Sequence, residues 1–446
     1  MPIPCAALSG SAAKRYCSRV PSTPQARPSV TAQFVMLLGA SLASIGNYYV
    51  YDSIGPVADL LSRQLAFTDT QIGALNAIYS LPNIFMVLIG GVLCDRFNAR
   101  SVTLVTTIVC LIGAIVTAFG AQFPVMAAGR LLFGLGAETM IVAVTVAYAQ
   151  WFAGRNLALL FAVNVSVSRL GSYLADRSPS FASNLYDQGW QPPLWLAVGF
   201  AVACFIGACI YWAVDRREAP RGTLAVAPPP DRIDWRNLLR FRAAYWYTVA
   251  LCVAFYSVIF AFRSTFSIKY FQHAHGLSLE AASTLNSYVF LAAVFATPVF
   301  GFLVDRIGRH ALLMTIGSLL LPLSFVLLGV GTGYLGTSTV LLGIAFSLVP
   351  AVLWPAVVRY VEPHQIGTAY GLMTMMQNAG MTVANIAAGY VNDVSGASAS
   401  NPGGYAAMLW FFGLLSLSGF VCALFLWRHE RRAPTVLSPL SPDAAV

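Results

Sequence analysis

Charge is what this chain has least of. Of its 446 residues only 10% are Asp, Glu, Lys or Arg, against about 25% in ordinary globular proteins. So few charges cannot clothe the surface of a soluble chain of this length, which excludes a water-soluble enzyme. Histidine is almost as scarce. His273, His275, His310, His364 and His429 all fall in expected connecting segments, so none is placed for a midmembrane proton relay or a metal site. The eight cysteines form no CxxC pair and support neither a disulfide framework nor a zinc site. No nucleophile and base stand at a workable spacing. No catalytic residue, metal or cofactor is therefore expected. The first 30 residues lack any acid and lack the apolar core of a secretory signal, and read as a disordered cytosolic tail.

Hydrocarbon takes the place of charge. Apolar residues make up 58% of the chain, and the mean hydropathy is +0.70. Runs of about 20 apolar residues, long enough to cross a bilayer, recur from end to end. They place spans near 32–54, 70–93, 101–121, 125–150, 156–177 and 193–214, then near 244–269, 280–304, 311–331, 335–359, 367–391 and 405–427. The expected fold is all-α and membrane-embedded, with twelve transmembrane helices in two six-helix bundles, 32–214 and 244–427. A linker over 215–243 joins them, holding Pro228, Pro229 and Pro230 among mixed charges; tails cover 1–31 and 428–446.

Orientation follows from the basic residues. On this span map 20 of the 26 Lys and Arg fall on the side of the termini and linker, and 3 on the other. Positive charge marks the cytosolic face, so both termini and the linker are expected there. The net charge of +9 is explained by this rim, and no nucleic-acid partner is expected.

A repeat ties the halves together. Gly91-Val92-Leu93-Cys94-Asp95-Arg96 follows the second span, and Gly301-Phe302-Leu303-Val304-Asp305-Arg306 follows the eighth, with Arg309 beyond it. Two copies of GxLxDR at equivalent points mark an internal duplication. The motif resembles the loop signature of the major facilitator superfamily, GxLaDRxGRR, from which the first copy departs at Asn98 and Ala99. The glycines are expected to allow close helix approach. Asp95, Asp305, Arg96, Arg306 and Arg309 are expected to form a charge latch that gates the cytosolic side.

The few charges inside spans are the functional candidates, because an ionised group at midmembrane costs about 2.5–3.5 kcal/mol on insertion scales. Glu138 and Arg169 each lie about 13 residues into consecutive spans, a depth that reaches the midplane at 1.5 Å per residue. Two readings stand: a salt bridge joining the helices, or separated charges facing a cavity and selecting a zwitterion, Glu138 for an ammonium and Arg169 for a carboxylate. Arg130, in Arg130-Leu131-Leu132-Phe133-Gly134-Leu135-Gly136, is structural or coupling-related. Arg263, in the outer third of span seven, is expected to snorkel to the interface. Asn47, Tyr51, Asn286, Trp354, Gln377 and Asn378 are candidate cavity-lining residues.

A closer resemblance rests on longer segments: Tyr51-Asp52, GLGAETMIVAVTVAYAQWFAGRNLAL over 134–159, NVSVSRLGS over 164–172, Ala351-Val352-Leu353-Trp354-Pro355 and VEPHQIGTAYGLMTMMQNAG over 361–380. Together they resemble the lysosomal dipeptide transporter family of the major facilitator superfamily, over roughly 33–427. The resemblance implies facilitated diffusion of dipeptides by alternating access, without compulsory ion coupling. Glu138 then matches the family's fourth-span Glu, which holds the peptide amino group, and Arg169 its fifth-span Arg, which holds the carboxylate. A proton-coupled carrier titrating Glu138 is the rival, and a non-transporting sensor on the same scaffold a remoter one. Expected partners are a small zwitterion and the bilayer. Animal members of that family carry acidic dileucine sorting signals and pair with a glycosylated accessory protein. This chain shows no such signal, and its one sequon, Asn164-Val165-Ser166, lies inside span five. An accessory protein is thus unsupported, and a bacterial inner membrane is slightly favoured over a lysosomal one.

Overall fold

The computed structural model describes residues 29–152, 157–218, 241–308, 310–362 and 365–432. Among them there is no strand. In the first half, α1 (Val30–Asp52) and α2 (Ile54–Leu65) form one rod broken at Ser53, followed by α3 (Asp69–Phe97), α4 (Ala99–Phe119), α5 (Phe123–Trp151), α6 (Leu157–Phe181), the short α7 (Ser183–Asp187) and α8 (Gln191–Glu218). The second half has α9 (Ala243–Val258), a π-helical segment (Ile259–Phe266) and α10 (Ser267–His275) as its first rod. Then come α11 (Leu279–Ile307), α12 (His310–Val330), α13 (Leu335–Tyr360), α14 (Ile366–Val394) and α15 (Tyr405–Arg432). Each of the twelve expected spans corresponds to one rod, six to a half. Most of the expected linker, most of both tails, and His364 and Arg309 lie outside the described residues.

Among the described residues nine helices are long and apolar enough to cross a membrane, and α3, bent by 56° within the span, makes a tenth. The two rods that fall short are α6 and α14. Their sequences explain it: α6 carries Ser168, Arg169, Ser172 and Asp176, and α14 carries Gln377, Asn378, Asn385 and Asn392. Both lie where the halves meet, α6 against α11 and α14 against α3. Polar side chains there face protein rather than lipid, so apolarity is not required of them.

Local chemistry sets the helix ends and the packing. Thr68 and Gln71 form a reciprocal capping box that starts α3. Within the first half, a methyl group on Gly134 would run into the Tyr79 carbonyl, and one on Gly136 would stand 2.6 Å from the Thr106 carbonyl. These glycines of the Arg130 motif let α5 lie close against α3 and α4, the small-residue packing of membrane helices. Gly91 and Gly301 do not act in that way in this conformation: a side chain on either would meet open space, and the close approach expected at the GxLxDR loops is not made here. The close inter-half glycines are elsewhere: a methyl on Gly73 would strike the Asn385 carbonyl, and one on Gly389 the Asp69 carbonyl.

Candidate substrate site and gate

The two midplane charges do not pair. Glu138 on α5 is half-buried and accepts a hydrogen bond from Asn83 Nδ2 of α3 at 3.4 Å. Arg169 on α6 is packed among rings instead: its Cζ lies 4.4 Å from the Phe346 centroid, 5.5 Å from Tyr48 and 5.6 Å from Phe290. Arg169 Nη1 is buried and meets no hydrogen-bond acceptor among the described residues. Tyr48 lies in the electrostatic reach of both charges. The salt-bridge reading therefore has no counterpart in this structure. The site holds an acid and a base apart, with aromatic walls contributed by both halves.

The other candidates divide by environment. Trp354 is half-buried; its Nε1 donates to the Tyr256 hydroxyl at 2.9 Å, and its ring stacks on Tyr370 at 5.9 Å. Gln377 accepts weakly from the Cys252 thiol. Tyr51 is buried between Tyr79 and Phe260, and so touches both halves. Asn378 is buried and its amide donates to the Thr374 carbonyl of its own helix. Asn47 is buried near Cys110. Asn286 differs from the cavity role expected of it: its amide donates to Asp176 at 3.0 Å and to the Arg263 carbonyl at 3.2 Å, and its oxygen accepts from Ser267 at 2.7 Å. With its donors and acceptor engaged by protein, it braces an ionic cluster.

Arg130 sits in a cage. It is 1% exposed and donates to the carbonyls of Val50 and Tyr51, both at 3.1 Å, to that of Leu75 at 3.5 Å, and to Asn76 Oδ1 at 2.5 Å. Tyr51, Tyr79 and Phe133 surround the guanidinium with ring faces. Such a group pins three helices together, the structural half of the earlier reading. Arg263 departs from expectation outright. It is 1% exposed and does not reach the interface. Its Nη1 meets Asp52 Oδ1 at 2.5 Å and its Nη2 meets Asp176, while the Phe290 ring lies 3.7 Å from Cζ. Two carboxylates from the opposite half hold it more strongly than snorkelling could.

That cluster belongs to a seal between the halves. Lys269 pairs with Asp69; Asn392 donates to Asp69 at 2.9 Å; His273 Nε2 lies 2.7 Å from Asp59. Asp393 accepts from the backbone N–H groups of Asp69 and Thr70, both at 2.8 Å, so one half caps the first helical turn of the other. Arg177 donates to Thr284. All of these lie at helix ends remote from the chain termini. At the terminal end the bonds run within a half: Arg100 to Asp215 at 3.4 Å, Trp151 to Asp215 at 2.7 Å, Tyr360 to Glu430. Asp95 and Arg96 are exposed there, Arg96 lying over the Phe97 ring, and Arg306 is exposed too. Arg309 and the side chain of Asp305 lie outside the described residues. The molecule is thus fastened at one end.

The sequence alone does not display the seal, because its acids fall at span ends and in the segments between spans. A signal exists: Asp52, Asp59, Asp69, Asp176 and Asp393 all fall on the side opposite the basic rim, where Arg63, Arg177 and Lys269 are the cations.

The comparisons agree with this architecture. The Major Facilitator Superfamily profile matches residues 37–278 and again 260–443. The "Lysosomal dipeptide transporter MFSD1" of Danio rerio is 30% identical over 376 residues, covering 82% of this chain and 81% of the relative. The protein of the same name from Homo sapiens is 28% identical over 404 residues, covering 84% of each. A crystal structure of the nucleoside transporter NupG superposes with a TM-score of 0.72 at 15% identity, over 88% of this chain and 99% of that one. The slight preference for a bacterial inner membrane gains no support from these relatives. With a profile match in each half and this arrangement of helices, the chain belongs to the Major Facilitator Superfamily and is a multi-pass membrane transporter, not an enzyme.

Proposed function

We propose that this chain is a dipeptide uniporter working by alternating access, seen here with its cytosolic side open. The observation that carries the reading is the unpaired set Glu138 and Arg169, an acid and a base held apart at midmembrane depth, the arginine with a buried donor that meets no acceptor among the described residues. A peptide's ammonium and carboxylate supply the missing partners, charge for charge. The names of the MFSD1 relatives point to the same substrate class. Recognition of the two termini leaves the side chains free to vary, which gives breadth of substrate. The termini lie on the cytosolic face by the basic-residue bias, so the fastened end faces outward.

The test is uptake of a labelled dipeptide into proteoliposomes, with and without a pH gradient, for the wild type, Glu138→Gln and Arg169→Ala. Uptake should equilibrate without a gradient and vanish in both variants. Absence of dipeptide uptake under either condition sinks the proposal. Accumulation above equilibrium driven by a proton gradient favours a proton-coupled carrier instead.

A further inference from the structure

Phe290, on α11, is 1% exposed, and its ring is shared by two cations from opposite halves. Arg263, from the π segment of the second half, has its Cζ 3.7 Å from the ring centroid. Arg169, from α6 of the first half, has its Cζ 5.6 Å from the same centroid. Arg263 is the cation of the seal, held by Asp52 and Asp176. Arg169 is the cation of the substrate site. One ring therefore stands between the group that binds and the group that locks.

We infer that Phe290 is a positioning residue that couples occupancy of the substrate site to closure of the sealed end. The inference rests on the reading of Arg169 as the partner of a substrate carboxylate. A ring face attracts a guanidinium through its quadrupole. Two guanidinium groups drawing on one ring weaken each other's hold and repel as like charges in a poorly screened interior. With Arg169 uncompensated, Arg263 is held less firmly in the orientation that reaches both Asp52 and Asp176. A carboxylate on Arg169 neutralises one competitor and leaves the ring to Arg263, so the seal tightens when the site is filled. Linkage makes the effect mutual: a tight seal favours the occupied site. Tyr48 meets Arg169, and Tyr51 meets Arg130, but none of these neighbours contacts both Arg169 and Arg263.

The test is a double-mutant cycle read without substrate. Spin labels at Gln188→Cys and Glu280→Cys, exposed positions at the sealed end of each half, report its closed-to-open ratio in an otherwise cysteine-free chain. Arg169→Gln mimics neutralisation and should raise that ratio by about ten-fold. Position 290 is then filled with trifluorophenylalanine, which keeps the shape of phenylalanine but weakens its face. The two changes should be non-additive by about three-fold or more, and Phe290→Tyr, which keeps an electron-rich ring, should restore the wild-type response. Additive effects, or an Arg169→Gln variant with an unchanged ratio, would overturn the inference. Alanyl-alanine added to the wild type should raise the ratio as Arg169→Gln does. Failure of that arm alone, with the cycle non-additive, would count against dipeptides as the substrate and leave the coupling standing.

Discussion

Arg130, Arg169 and Arg263 lie within membrane-spanning rods and away from the basic rim, and their surroundings separate their roles. Arg130 is saturated by protein: four acceptors and three ring faces leave it nothing to offer a ligand. Arg169 keeps a donor unspent. Arg263 is spent on a contact that must break whenever the sealed end opens. Replacing Arg130 removes its bonds to the Val50, Tyr51 and Leu75 carbonyls and takes from Asn76 Oδ1 its guanidinium donor in a dry interior, so Arg130→Met should cost about 3–5 kcal/mol of stability. Lysine, a point donor, should recover less than half of that loss, because it cannot span the four acceptors on two other helices. Melting curves of the purified protein check this. An unchanged melting temperature in Arg130→Met with transport abolished would move Arg130 from scaffold to coupling.

At the scale of helices, glycine position decides what each interface can do. Gly73 and Gly389 sit where α3 and α14 touch backbone to backbone at the sealed end, whereas Gly91 faces open space. Gly73→Val or Gly389→Val should therefore wedge the halves apart there, raising the labelling rate of a cysteine placed at Thr70 by about ten-fold or more. Gly91→Val should leave that rate unchanged in this conformation. If it is nonetheless found to stop transport, the GxLxDR loops close in a second state, as the sequence motif implies. The helices themselves were legible because a bilayer demands about 20 apolar residues per crossing. The π segment over Ile259–Phe266 was not. Its composition is intermediate between those of α9 and α10, and a one-residue widening of the helix leaves no compositional trace. That widening lies where Arg263 turns to the opposite half, a common use of such segments.

For the whole molecule, the pair of midmembrane charges is legible in the sequence and the seal is not, for one physical reason. Glu138 and Arg169 were each conspicuous alone, as charges at a depth where lipid forbids them. The seal joins residues as far apart in sequence as Asp69 and Asp393, each unremarkable at a helix end. Only the packing of the halves turns them into a device. Asp393 shows the consequence most directly. Its carboxylate accepts from the N–H groups of Asp69 and Thr70 and from the Thr70 hydroxyl, so the first turn of α3 is capped by the other half. Charge-assisted bonds of this kind contribute about 1.5–3 kcal/mol each when buried, and less here, where Asp393 is exposed and Thr70 half-buried. Asp393→Ala should shift the population toward the state open at this end by about five-fold or more. Asp393→Asn, which keeps an acceptor but no charge, should fall between. High salt should narrow the gap between wild type and Asn, because the difference between them is electrostatic. At the opposite end Asp215 binds Arg100 and Trp151 within a single half, so Asp215→Asn should lower stability yet leave that population where it was. Spin-label distances between Gln188→Cys and Glu280→Cys read all four cases. Equal shifts from Asp215→Asn and Asp393→Ala would mean that the seal tracks overall stability, and that its placement at one end carries no bias between the two open states.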